Sequence, residues 1–225
     1  MAKRESSGAS DGEQASPNGA ADFLPATPSL RAARKAATDC RGCGLFRRAT
    51  QTVFGEGEPL ARIMLVGETP GDREDVVGRP FVGPAGQLLD RALAAAGIDR
   101  SAVYVTNVVK HFKWEPRGKR RLHKRPLPSE IGACMPWLRM EIELVRPEVI
   151  VCLGATAGQA LLGKGFSVTR ERGRFLESRY APFVLATVHP SALLRIREHD
   201  ERHEAFEHFV ADLKLVNDAE RKPPP

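Results

Sequence analysis

Between Ala61 and Val109 the hydrophobic period changes twice, and few folds accept that order. Ala61 to Val66 is an apolar run of strand length, broken at its C-terminal end by Gly67, Pro70 and Gly71. Gln87 to Gly97 then carries Leu88, Leu89, Ala92, Leu93 and Ala96 on one helical face and stops at a glycine. Val103 to Val109 is a β-branched run ending in polar residues, so Asn107 falls near a second strand end. Strand, helix and strand make a βαβ unit with a right-handed crossover, and a parallel sheet binds ligands at the C-terminal ends of its strands. Glu68 and Asp72 hang on the first of these ends. Gly83-Pro-Ala-Gly86 then opens a helix whose N-terminus favours anions. Taken alone, the string from Leu65 to Gly86 reads as an ordinary strand-to-helix loop.

The remaining chain extends the pattern. Glu148 to Gly154 is a third buried strand, followed by a helix through Thr156 to Leu162. Arg174 to Tyr180 and Phe183 to Thr187 read as two more strands, the second leading to Val188-His189-Pro190-Ser191. Ser129 caps a helix with a stripe through Ile131, Met135, Leu138 and Ile142, and a final helix runs from about Glu201 to Asn217. The expectation is one α/β domain over residues 29–217, a three-layer α/β/α sandwich around a central, mainly parallel four-stranded sheet. Residues 1–28 are rich in Ser, Ala, Gly, Asp and Glu and are expected to be disordered, with a charged, Pro-rich tail at 218–225.

Lys and Arg number 34 against 28 Asp and Glu, a net charge of +6 that suits a polyanionic partner. Much of the excess lies between Lys110 and Pro128, a stretch without periodicity that reads as a basic loop. Lys119, Arg120, Lys124 and Arg125 in it suit phosphate. No apolar run approaches membrane-span length and the N-terminus lacks a signal-like apolar region, so a cytosolic (cytoplasmic) protein is expected. Four cysteines are too few for a disulfide scaffold. Cys40-x-x-Cys43, Cys134 and Cys152 leave a [4Fe–4S] cluster, a structural zinc site and plain burial open.

Three polar clusters fall at strand C-terminal ends: Glu68 with Asp72, Asn107, and His189. Here the chain resembles a known family. Gly67-Glu-Thr-Pro-Gly71, Gly78-Arg-Pro-Phe-Val-Gly-Pro-Ala-Gly86, Thr106-Asn107 and His189-Pro-Ser-Ala-Leu-Leu-Arg195 are similar to successive motifs of the uracil-DNA glycosylase superfamily, closest to its iron-sulfur family 4. Lys119-Arg-Arg-Leu-His123 resembles the hallmark of the UdgX branch, whose members become covalently joined to their DNA. The resemblance runs from about Ala36 to Leu215.

The resemblance implies roles that the residue chemistry can meet. A glycosylase extrudes its base into a pocket. Phe81 would stack on the base, and Asn107 would bond uracil O4 and N3–H, refusing cytosine, whose donor and acceptor are reversed there. His189 would face O2, and Gly67, Thr69, Asp72 and Arg195 would complete the substrate contacts. His123 would be a nucleophile that captures C1′ once uracil departs. Glu68 would take the proton the imidazole must shed, and Arg121 would fix the loop over the site. Cys40, Cys43, Cys134 and Cys152 would ligate a structural [4Fe–4S] cluster. The implied partner is uracil-containing DNA, single-stranded by preference, with free uracil as product and a monomer as the working unit. Thr69 stands where the UdgX branch usually has glutamine, and Leu122 where it has isoleucine. Two alternatives remain: a turnover family 4 glycosylase in which His123 only grips phosphate, and a DNA-binding iron-sulfur protein without catalysis.

Overall fold

The structure is a computed structural model that describes residues 15–219; of the tails expected at 1–28 and 218–225, residues 1–14 and 220–225 lie outside the described residues. A turn of 3-10 helix (Gly19–Phe23) precedes α1 (Leu30–Ala37), whose cap Ser29 accepts the Ala32 N–H at 3.1 Å. β1 (Glu56–Gly57), β2 (Ile63–Gly67), α2 (Asp72–Val77), α3 (Pro84–Ala95) and β3 (Val103–Asn107) follow. A hairpin of β4 (Trp114–Arg117) and β5 (Arg120–His123) leads to α4 (Pro128–Val145), β6 (Val149–Leu153), α5 (Ala155–Leu162) and α6 (Val168–Glu171). β7 (Phe175–Leu176), β8 (Phe183–Thr187), α7 (Pro190–Leu193) and α8 (His199–Asp218) complete it.

The central sheet has the order β1-β3-β2-β6-β8-β7. Its four inner strands are parallel, while β1 and β7 pair antiparallel at the edges. The expected four-stranded sheet is therefore its parallel centre. Each edge strand is two residues long and too short to show a period, which is why the strand expected over Arg174 to Tyr180 shrinks to Phe175–Leu176. All five residues of β2, β3, β6 and β8 are buried, because helices cover both faces and leave no side for polar alternation. Met64, Val66, Ile150, Cys152 and Val184 pack into one layer with Leu138 and Ile142 of α4. Ile63, Leu65, Val149, Val151 and Leu185 pack into the other with Leu89 of α3 and Phe209 of α8.

Three local expectations change. Lys110 to Pro128 is not all loop, since β4 and β5 pair in it across the turn Gly118-Lys119, with Gly118 at φ +60° as a two-residue hairpin requires. Ser129 lies inside α4, not at its cap. Pro128 occupies the first turn, where a missing N–H costs nothing, and the Glu130 carboxylate accepts the Leu127 N–H at 2.6 Å. Residues 15–28 pack on the domain. Ser16 N–H donates to Arg41 O at 3.0 Å, Ala20 is buried, and Gly19 seats so closely on Ala133 of α4 that a Cβ there would come within 2.8 Å. At the other end α8 runs through Asp218. No described helix is long and apolar enough to cross a membrane.

Candidate active site

The parallel strands deliver Gly67, Asn107 and, just past β8, His189 to one edge of the sheet, as the βαβ order requires. Gly67 is paired with Asn107 in the β2–β3 ladder, and a Cβ on it would lie 2.4 Å from Asn107 Oδ1 and 2.7 Å from Phe81 Cζ. Only glycine lets the amide and the ring meet there. Phe81 adopts φ +54°, a left-handed conformation uncommon outside glycine and often found at functional sites. The first turn of α3 lies against its main chain: a Cβ on Gly86 would stand 1.8 Å from Phe81 O.

Asn107 is 2% exposed, yet its Oδ1 has no hydrogen-bond partner. An orphaned buried acceptor is rare and calls for an explanation. The Phe81 and His189 rings stand 6.1 Å apart between centroids at 32°. His189 caps α7, with its Nδ1 accepting the Ser191 N–H at 3.2 Å. Because that donor is a main-chain N–H, a neutral His189 carries its proton on Nε2. Burial, with smaller effects from His123 and Arg195, lowers its pKa to about 4 and keeps it neutral.

His123 ends β5 opposite Trp114, its ring 5.9 Å from that of Phe112. Burial lowers its pKa, Glu68 pulls in the opposite direction, and Arg195 adds to the lowering. Glu68, His189 and the exposed Arg195 thus lie within electrostatic reach of His123, although the four come from three separate segments. Glu68 Oε2 accepts from Thr156 Oγ1 and lies 4.0 Å from Arg125 Nε.

The hairpin is held by Arg121. Its Nε donates to Asp72 Oδ1 at 2.5 Å and its Nη1 to Asp75 Oδ2 at 2.6 Å, with the guanidinium 5.3 Å from the Phe112 centroid and 5.6 Å from that of Trp114. A two-stranded hairpin is marginal by itself, so these contacts, together with the Trp114 Nε1–H that donates to Arg48 O at 2.8 Å, anchor it. Asp72 is accordingly engaged by Arg121. Thr69 is buried and donates to His111 O at 2.8 Å. The N-terminus of α3 is met from within the chain, where Glu74 Oε1 accepts the Gly83 N–H at 2.8 Å.

Glu74, Asp75, Thr156 and Ser191 were not singled out from the sequence. Two of them are neighbours of Asp72 in a run of acidic residues, and nothing in their spacing says which carboxylates turn inward.

All four cysteines are buried, in the layer between the sheet and α4. Trp137 Nε1 and the Lys110 N–H each donate at 3.2 Å, to Cys40 Sγ and Cys134 Sγ respectively. Burial pushes the Cys134 and Cys152 thiols up to about 12 and raises Cys43 as well. Among the described residues no three His, Cys, Asp or Glu side chains form a group that could hold a metal ion.

Comparison with known proteins agrees with this geometry. The family model described as Uracil DNA glycosylase superfamily matches residues 54–214. The chain is 43% identical to the Type-4 uracil-DNA glycosylase of Thermotoga maritima over 169 residues, 75% of this chain and 84% of that protein. It is 37% identical to the Type-4 uracil-DNA glycosylase of Archaeoglobus fulgidus over 80% of this chain and 87% of the relative. It is also 33% identical to the Type-5 uracil-DNA glycosylase of Thermus thermophilus, over 62% of this chain and 68% of the relative. With a parallel sheet that gathers Gly67, Asn107 and His189 at one edge, and a family match across most of its length, this chain belongs to the uracil DNA glycosylase superfamily.

Proposed function

We propose that the protein excises uracil from DNA and stays joined to the abasic product through His123. The observation that carries the excision is the unpartnered Oδ1 of Asn107, buried beside Phe81. Uracil N3–H is a donor fit for that oxygen, and the amide's NH2 then faces O4. Cytosine offers an acceptor at N3 and leaves the oxygen unpaired, a penalty that discriminates strongly. Phe81 supplies the stacking surface for an extruded base. Single-stranded DNA is the preferred form, since extrusion from it breaks no base pair.

The bond between C1′ and uracil N1 breaks with its electron pair leaving on the base. The Nε2–H of His189 stabilises the charge that gathers on O2. The oxocarbenium carbon left behind is then captured by the lone pair of a neutral His123, whose other ring nitrogen gives its proton to Glu68. Burial supports this by holding His123 neutral at pH 7, and Thr156 orients the Glu68 carboxylate. Arg121 keeps the hairpin over the site, and Arg195 and the basic residues of the hairpin suit the DNA backbone. The relatives named above support excision; the covalent step rests on His123 and Glu68.

Cys40, Cys43, Cys134 and Cys152 are the residues that would hold a [4Fe–4S] cluster: the four thiols lie in one core, and N–H groups aim at two of the sulfurs as they would at thiolates, although as placed no three of them form a group that could hold a metal. Such a cluster would staple the N-terminal segment to α4 and β6, since glycosidic cleavage moves no electron.

A denaturing gel with a uracil-containing oligonucleotide tests the whole scheme. A protein band shifted by the oligonucleotide supports it. Alkali-labile product with no shift leaves a turnover glycosylase, and neither outcome leaves a DNA-binding protein.

A further inference from the structure

At the end of β3 the main-chain N–H groups of Val108 and Val109 run on to Gly67 O at 2.9 Å and Glu68 O at 3.0 Å. The Asn107 carbonyl is met instead by Lys110 Nζ, at 2.6 Å. That ammonium is 1% exposed and also reaches Thr106 Oγ1 at 2.6 Å and Glu141 Oε2 on α4. Glu141 has no exposed surface, and its carboxylate further accepts from Gly55 N–H at 2.9 Å, Tyr104 O–H at 3.0 Å and Thr106 O–H at 2.9 Å. Burial and the neighbouring Glu141 hold Tyr104 protonated, so it remains a donor.

Stability is a poor reason for such a pair. Removing two charges from water is costly, and well-packed apolar residues of similar volume often stabilise a core as well or better. What an apolar pair cannot supply is a charged donor at the Asn107 carbonyl, and a charge-assisted bond is short and directional. Asn107 needs such a hold, because its side-chain Oδ1 bonds to nothing in the protein.

We propose that Lys110, fixed by Glu141, is a positioning residue for Asn107. The ammonium clamps the carbonyl at the strand end and thereby aims the side-chain amide into the base pocket. The inference rests on Asn107 reading the uracil edge as set out above. It makes the Lys110–Glu141 pair a determinant of base affinity and places no contact between Lys110 and DNA.

The test is the double variant Lys110→Met/Glu141→Leu, which leaves no charge unpaired. It is measured well below its melting temperature for inhibition by free uracil, for single-turnover excision, and for affinity toward an oligonucleotide carrying a tetrahydrofuran abasic analogue. Free uracil should inhibit roughly tenfold less well and excision should slow by at least as much, with analogue affinity unchanged. Lys110→Gln/Glu141→Gln, whose amides bond without charge, should fall between the two and serves as the readout if the first variant does not fold. Inhibition and excision within twofold of the native protein in a folded variant would overturn the proposal. Asn107→Ala is the control: if it too leaves uracil inhibition unchanged, the pocket assignment itself fails, and the positioning role with it.

Discussion

Gly67→Ala adds one methyl group at a point where the structure has no room for it. The new carbon would stand 2.4 Å from Asn107 Oδ1 and 2.7 Å from Phe81 Cζ, against about 3.5 Å for an ordinary contact. The strand cannot yield easily, because Gly67 sits in the β2–β3 ladder directly opposite Asn107. The amide and the ring must therefore each retreat by about 1 Å, and displacement on that scale costs about a hundredfold in rate, roughly 2.7 kcal/mol of barrier. Overpacking destabilises the fold by about 1 to 3 kcal/mol, so the variant still folds at 25 °C. Single-turnover excision on a uracil oligonucleotide, read after alkaline cleavage, measures the rate, and a thermal melt reports the stability. Excision within threefold of native, in a protein with a normal melt, would refute the claim that Asn107 and Phe81 form the base pocket over Gly67.

His123→Ala is expected to abolish the crosslinked band while uracil is still released as alkali-labile product, because His189 and Asn107 remain; Glu68→Gln should slow crosslinking. An adduct mapped by peptide sequencing to another residue would reject His123 as the nucleophile. The purified protein should be brown and carry iron near cluster stoichiometry, and Cys134→Ser should lose that colour and melt earlier; zinc in place of iron would reject the cluster. His111 and His189 both have folded pKa values near 4, set mainly by burial, and an unfolded value of about 6.5. The unfolded chain binds more protons over that interval, so stability is greatest above pH 6.5, declines as the pH falls, and the decline ends below about 4. A melting temperature that rose on acidification from pH 6.5 to 4.5 would contradict the buried, neutral histidines.

The alternation of strand and helix, the edge of the parallel sheet that carries the site, and Gly67, Asn107 and His189 at its strand ends were legible in the sequence, because each lies in or beside a short segment whose period or turn residues are local; Phe81 and His123 were singled out only through the family resemblance. The hairpin was not legible. Trp114 to His123 has no apolar face, and its pairing is held by Arg121 reaching Asp72 and Asp75 and by Trp114 bonding Arg48, all some fifty residues or more earlier in the chain. Ser129 as a helix cap failed for a similar reason: Pro128 and Glu130 offered a better first turn. Residues 15–28 looked too polar to order, yet the small side chains of Gly19 and Ala20 let this segment seat on α4 and the Cys40–Cys43 turn.

The sequence by itself determined the alternation of strand and helix, hence the parallel sheet and the strand ends where a ligand belongs, because hydrophobic periodicity and glycine placement are properties of neighbouring residues. It also determined which chemical groups are on hand. Only the tertiary structure decided how they are used: that Glu74 faces a helix N-terminus while Glu68 accepts from Thr156, that Asp72 is taken up by Arg121, and that Lys110, one basic residue among many, is buried against Glu141 beneath Asn107. Identical side chains differ in role through burial and partner, and both are set by packing between segments far apart in the chain, which no local pattern encodes.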